Sequence, residues 1–412
     1  MSKLETAAVT TPSGSASYDP FAASFQQDPY PAYRRLRDDE PVHRHTEPAF
    51  WALSRFEDVW SAVRDPVTFS SAQGLTFHPD EIGALGLAPT IVMLDPPRHT
   101  RLRALIAKAF TPKRVAELEP LIRSFVRERI FVMRAADSDG APVDLHRDFS
   151  SPLPTFVLAH LLGVPAADRA RFDPWVATLV GFQDEGFALT RVADAASSVG
   201  EMFEYFAGLI RARRAAAADD LISALCQAEV DGESLTDWDV LGFCFVMVAG
   251  GNDTTGNLIS HAVALLDRFP DQRLLLQQDP TLMPNALLEF LRMEGSVQGL
   301  ARTTTRAVRV QDVEIPAGAK VLMLYGAANR DEREFGPTAD VLDVRREIPR
   351  HLGFATGVHF CIGSHLARLQ AHVALSELLA AFPQIGVDLA LGVRLSSAFT
   401  RGWISLPATN LS

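Results

Sequence analysis

Cys361 sits in a glycine-punctuated stretch, Gly353-Phe354-Ala355-Thr356-Gly357-Val358-His359-Phe360-Cys361-Ile362-Gly363, that runs directly into a helical pattern over 364–379. A sulfur at a helix start lies among unpaired backbone N–H groups and at the positive end of the helix dipole. Both favour thiolate over thiol. Gly357 and Gly363 are expected to supply the turns that aim several N–H groups at one sulfur. The ordinary alternative for a free cysteine is burial as a small apolar side chain. Zinc is disfavoured, because Cys226 and Cys244 are remote and no C-x-x-C pair exists.

A second constellation lies inside the longest helical pattern, residues 236–268, whose middle reads Ala249-Gly250-Gly251-Asn252-Asp253-Thr254-Thr255. Each glycine costs about 1 kcal/mol relative to alanine in a helix interior. A break is one reading. Apolar patterning over 240–248 and again over 258–266 favours a single long helix that tolerates a local cost, which is where a functional site is expected. The Thr254 hydroxyl can bond back to the Gly250 carbonyl or release it. With Asp253 it forms an acid–alcohol pair suited to moving protons.

Two weaker motifs accompany these. Glu289 and Arg292 place opposite charges three apart on one helix face, a pattern that is most often an exposed ion pair contributing roughly 0.2–0.5 kcal/mol. Asp95-Pro96-Pro97-Arg98-His99-Thr100-Arg101-Leu102-Arg103 opens a helix with His99 and Arg103 on one face, readable alone as a solvated basic helix.

A lone stabilised thiolate is the axial ligand a haem iron takes when O–O cleavage is the task. The cysteine stretch resembles the ligand loop of the cytochrome P450 family: Phe354, Gly357, His359, Cys361 and Gly363 fill each slot, and Ala355 stands where many relatives have a second glycine. The segment with Asp253 and Thr254 resembles the family's oxygen-activation motif. The resemblance implies one mostly helical domain with a small β region and a long central helix over a haem b. It implies Cys361 as iron ligand, Asp253 and Thr254 as proton relay, and Gly250, Phe354 and Gly363 against the cofactor. His99, Arg103, Arg302 and His359 are implied as anchors of the haem propionates, and Glu289, Arg292 and Arg345 as a structural triad. Phe77, Phe182, Ala249, Val297, Leu300 and Phe399 fall in stretches that face the family's substrate pocket. Such an enzyme inserts one atom of dioxygen into a hydrophobic small molecule, with electrons from a ferredoxin and its NAD(P)H-dependent reductase. The rivals are a peroxide-driven peroxygenase and a non-catalytic haem-thiolate sensor, neither of which needs the acid–alcohol pair.

These residues require a largely helical frame. Helical patterns cover 31–38, 56–63, 99–109, 112–135, 152–162, 194–214, 236–268, 271–278 and 284–292, with short strand-like pieces at 50–53, 308–310, 320–324 and 403–406. A small sheet region is expected to draw strands from both ends of the chain. The 412 residues are 47% hydrophobic and 22% charged, ordinary for a globular protein with a sizeable core. Three cysteines fit a reducing cytoplasm better than a disulfide scaffold. A net charge of −11 without a basic tract argues against nucleic acid. The apolar run 240–251 is too short to span a bilayer. Residues 1–18 read as a disordered lead-in to the domain 19–412. No G-x-G-x-x-G fingerprint opens a βαβ unit, so electrons are expected from a separate carrier. Arg98, Arg101, Lys108, Lys113 and Arg114, with Arg350 and Arg368 flanking the cysteine loop, are expected to form a basic patch for it.

Overall fold

Thr236 starts the long apolar helix as expected. Its hydroxyl accepts from the Asp239 amide at 3.1 Å and its own amide donates to the Asp239 carboxylate at 3.0 Å, a reciprocal cap. The helix does not run through to residue 268. It ends at Gly251, and a second helix, Asp253–Arg268, follows Asn252. Side chains take the carbonyls that a continuous helix would use internally: Asn252 Nδ2 donates to Val248 at 3.1 Å and Thr254 Oγ1 to Gly250 at 2.7 Å. The pattern over 112–135 is also two helices, Pro112–Ala116 and Glu119–Ser138. Pro120 has no amide hydrogen and its ring would meet the carbonyl four residues earlier, so the helix must restart.

The computed structural model describes residues 18–78, 81, 89–172, 174–175, 178 and 189–411. The lead-in 1–17 and Phe182 lie outside them. Tyr18, assigned to the lead-in from sequence, is 4% exposed and packs edge-on against Phe25. Helices dominate. Those that carry or brace the site are Arg98–Ala109 (α1), Glu119–Ser138 (α2), Asp237–Gly251 (α3), Asp253–Arg268 (α4), Met283–Met293 (α5) and Ser364–Ala381 (α6). Their apolar faces meet in one large core that includes Ile122, Phe243, Leu258, Phe290 and Leu375. No helix among the described residues is long and apolar enough to cross a membrane.

Five strands form the main sheet: Val42–Thr46 (β1), Ala49–Leu53 (β2), Phe69–Ser70 (β3), Leu300–Thr304 (β4) and Lys320–Met323 (β5), in the order β1-β2-β5-β4-β3. Only the β2–β5 pair is parallel, with Trp51 opposite Val321. The strand Trp403–Ser405 does not join this sheet and pairs instead with Val393–Arg394.

Helix α5 carries a buried ion pair. Glu289 and Arg292 are 0% and 1% exposed, and two guanidinium nitrogens meet the two carboxylate oxygens at 2.7 and 2.8 Å. Arg292 Nη1 also donates to the carbonyls of Asn329 at 2.9 Å and Ala339 at 2.7 Å. The third arginine is not Arg345, which is exposed, but its neighbour Arg346, whose Nε donates to Glu289 at 3.2 Å. The irregular chain at 343–346 turns Arg345 outward, and a residue in such a segment cannot be placed by periodicity. Asn329 then holds the amide of Leu352 at 2.7 Å, one residue before the cysteine stretch. Replacing Arg292 by Leu strands a buried carboxylate and should destabilise the protein by about 3–5 kcal/mol. Arg345→Leu should stay within about 0.5 kcal/mol, with Arg346→Leu in between. Denaturant titration of the three variants checks this order, and a loss for Arg345→Leu as large as for Arg346→Leu would return the role to Arg345.

Candidate functional site

The cysteine loop is closed at its base by the Cys361 amide, which donates to the Phe354 carbonyl at 3.0 Å. Gly357 adopts φ +69°, and a Cβ there would meet the Val63 carbonyl at 3.3 Å, so glycine is required on both counts. Gly363, at φ −81° just before α6, turns its amide to the Cys361 sulfur without a left-handed backbone. The second left-handed residue is Ala355, at φ +53°. The Cys361 sulfur lies beside the amides of Gly363 and Ser364 and near the Arg103 guanidinium, all of which pull its pKa down. Burial outweighs them and holds the free thiol above its usual value.

On one side of the loop, four groups converge on His359. Its ring lies 4.3 Å from that of His99 at 52°. Arg103 Nη2 donates to the Phe360 carbonyl at 2.5 Å. Burial, reinforced by Arg302, His99 and Arg103, lowers His359 to about 3, so it is neutral at physiological pH. Its Nε2 lies 3.1 Å from the Ser71 hydroxyl. Two features in this cluster lack partners among the described residues. His99 is 1% exposed and its Nδ1 has no hydrogen-bond partner. Arg302 is 3% exposed, and its guanidinium donates only to the Ala301 carbonyl, at 2.8 Å, with no carboxylate in reach. Buried cations and imidazoles arranged so are a site for anionic oxygens.

A second group of candidate residues lies at the break between α3 and α4. A Cβ added to Gly250 or Gly251 would meet nothing within 4 Å, so the helix presents a bare flank. Thr254 hydroxyl rests on the Gly250 carbonyl. Asp253 is driven up to about 6 by burial, against an opposing hydrogen bond from Asn257 Nδ2 at 2.8 Å. Asn257 Oδ1 in turn accepts from the Trp403 amide at 2.9 Å. Sequence reasoning missed Asn257, although its spacing of four from Asp253 on a helix was an available signal.

The sequence model of the cytochrome P450 family matches residues 52–384. The chain belongs to the cytochrome P450 family. This P450 is 46% identical over 390 residues to cytochrome P450 130 of Mycobacterium tuberculosis, covering 92% of this chain and 94% of that one. It is 36% identical to a vitamin D(3) 25-hydroxylase of Pseudonocardia autotrophica, with 97% and 98% coverage. Its fold superposes on the structure of the P450 CYP109Q5 from Chondromyces apiculatus with a TM-score of 0.85 at 35% identity, over 95% of this chain and 98% of that one. The cofactor of such a monooxygenase is haem, iron protoporphyrin IX. The residues present fit it. Unpartnered His99 Nδ1 and the carboxylate-free Arg302 match two propionates, bare Gly250 and Gly251 leave room for a flat ring, and the Cys361 sulfur has two amides beside it.

The sequence-derived pocket residues divide. Ala249, Val297 and Leu300 are partly buried and keep some free surface. Phe77 and Phe399 pack against each other, tilted, at 4.7 Å, and Phe77 stacks on Phe50 at 4.8 Å, in a small separate core. Packing accounts for both rings.

An acid whose folded pKa lies above its unfolded value destabilises the folded state once pH passes the unfolded value, fully so above the folded one. For Asp253 that window runs from 3.8 to about 6. Asp253→Asn should therefore gain melting temperature relative to wild type as pH rises through this window and keep the gain above it. Thermal denaturation of the haem-loaded proteins across pH is the measurement, and a difference that does not vary with pH would show that Asp253 is not held above its ordinary value.

Proposed function

We propose that this P450 hydroxylates a bulky hydrophobic small molecule, taking electrons from a separate ferredoxin and its NAD(P)H-dependent reductase in the cytoplasm. The observation that carries this reading is the acid–alcohol pair Asp253 and Thr254 at a helix break, beside the bare flank of Gly250 and Gly251. Haem supplies the binding and reductive cleavage of dioxygen. Cys361 would hold the iron through Sγ, with the Gly363 and Ser364 amides bearing part of the thiolate charge. His99, Arg103, Arg302 and His359 would bind the propionates as N–H donors. Phe354, whose carbonyl closes the ligand loop, would lie against the ring.

The Thr254 hydroxyl, released from the Gly250 carbonyl, would donate a proton into the site. Asp253 would resupply it after leaving Asn257. A carboxyl at about 6 is well matched to this, since it can take a proton from neutral water and give it up again. The apolar neighbours Ala249, Val297 and Leu300 would keep bulk water away from that exchange. A relative named for hydroxylating vitamin D(3) supports a large apolar substrate.

The carrier surface is narrower than the sequence implies. Arg350 is committed to Glu57 and Glu334 at 3.0 and 2.8 Å, and Lys108 donates to the Glu229 carbonyl at 2.8 Å. Arg98 and Lys113 are exposed, with no carboxylate partner among the described residues, and would face an acidic carrier.

Thr254→Ala should keep haem and substrate binding but divert electrons into peroxide and water. The ratio of product formed to reduced nicotinamide consumed reads this, and an unchanged ratio removes Thr254 from the relay. Arg98→Glu with Lys113→Glu should slow ferredoxin-supported turnover several-fold at low salt, with the gap closing as salt screens exposed charge over roughly 8–10 Å. Haem content and substrate-induced spectral change should stay as in wild type. A loss that salt does not reduce would place the carrier elsewhere.

A further inference from the structure

Away from the cysteine loop, a cleft of about 510 Å³ opens between the N-terminal helix Tyr30–Asp39, the C-terminal half of α4 and the segment that carries Arg394 and Arg401. Its lining holds five arginines, at 34, 268, 330, 394 and 401, against three carboxylates, Asp28, Glu294 and Asp340. Most of that charge is internally matched. Glu294 takes Arg401 at 3.0 Å and Arg330 at 3.6 Å, and Asp340 takes Arg330 at 3.2 Å and also Arg34. Asp28 is exposed and accepts from the Tyr30 amide at 3.2 Å.

Two arginines are left over. Arg394 has no carboxylate partner among the described residues, and its Nε is buried with no hydrogen-bond partner. Its guanidinium carbon lies over the Trp403 ring, 3.4 Å from the centroid, a cation–π contact that holds the group in place. Nη1 lies 3.4 Å from His261 Nε2, a neutral imidazole whose Nδ1 is 2.9 Å from the Glu294 carbonyl. Burial and the neighbouring Arg401 depress Arg394 to about 10, against the opposing pull of Glu294 and Asp28, neither of which reaches it as an ion pair. Arg268 stands exposed on the same lining, over Phe269 and also without a carboxylate partner. Ala264, Leu265 and Leu389 add an apolar surface between them. A buried cation is tolerated where something pairs with it, and this concave, charge-lined site with an apolar patch has room for a small molecule.

We propose that this cleft binds a small organic anion, its carboxylate or phosphate oxygens held by Arg394 and Arg268 and its apolar part lying on Ala264, Leu265 and Leu389. The site is separate from the haem site and stands whether or not the reading of the monooxygenase substrate is right.

Isothermal titration of the haem-loaded full chain with hexanoate, inorganic phosphate and hexanol tests this. One of the two anions should bind at a single site with no change in the haem spectrum, and hexanol should not bind there. A preference for hexanoate marks a carboxylate ligand, and a preference for phosphate marks a phosphorylated one. Arg394→Gln should weaken the anion at least tenfold, and Arg309→Gln, an exposed arginine elsewhere, should leave it unchanged. If Arg394→Gln is poorly folded, Arg268→Gln at the exposed edge gives the same reading with a smaller loss. Absence of heat for both anions overturns the proposal, as does binding that shifts the haem spectrum or that survives both substitutions.

Discussion

The ion pair between Glu289 and Arg292 is the constraint on which the ligand loop depends. Both residues are almost wholly removed from water. Such a pair is not a source of stability in itself, because desolvation of two charges consumes most of what their attraction returns. Its value lies in direction. With both carboxylate oxygens and several guanidinium nitrogens committed, Arg292 has one orientation in which it can reach the Asn329 and Ala339 carbonyls. Asn329, placed from its main chain by that contact, uses its side chain to set Leu352. The cysteine stretch therefore begins from a point defined by a buried charge on another helix.

The break between α3 and α4 uses the reverse device, in which regular structure is given up to gain polar groups. Asn252 and Thr254 turn their side chains back onto the preceding turn and release the ladder between α3 and α4. The break leaves a threonine hydroxyl, a raised carboxyl and two bare glycines within one turn of each other. Two anchors keep it from fraying: Ser296 Oγ donates to the Thr254 carbonyl at 2.8 Å, and Asn257 ties Asp253 to the Trp403 amide. The polar groups are thus held in place by contacts that reach the strand Trp403–Ser405 near the end of the chain.

What the sequence revealed and what it hid follow from how locally each feature is determined. The cysteine loop was legible because a thiol, two glycines and a helix start are adjacent in the chain. Strands at 50–53, 308–310 and 320–323 were legible as short apolar runs rich in β-branched and aromatic residues, the last two flanking the turn at 315–318. The helix break was not, because it occupies one residue, Asn252, and apolar patterning resumes at once on either side. Arg346 was mistaken for Arg345 because side-chain direction in an irregular segment is set by tertiary contacts, here with Phe335, Thr338 and Val341. The left-handed turn at Ala355 was hidden for a related reason: alanine does not mark such a turn in sequence, and surrounding contacts impose it. Phe77 and Phe399 are far apart in sequence, so their mutual packing could not be read from either neighbourhood.

Ala355 carries a further meaning. A left-handed alanine is disfavoured by roughly 1–2 kcal/mol relative to its ordinary conformations, and it persists only where surrounding contacts over-determine the backbone. Here the amide of Ala355 is fixed to the Leu352 carbonyl at 3.0 Å, and the Cys361 amide to Phe354 beside it. The loop's shape is thus imposed from its ends and not chosen by its own residues. A thiol presented in this way has little conformational freedom left to lose when it takes a metal. Loading the cofactor is then closer to docking onto a finished socket than to folding around a guest, and its speed would be governed by access to the cysteine loop.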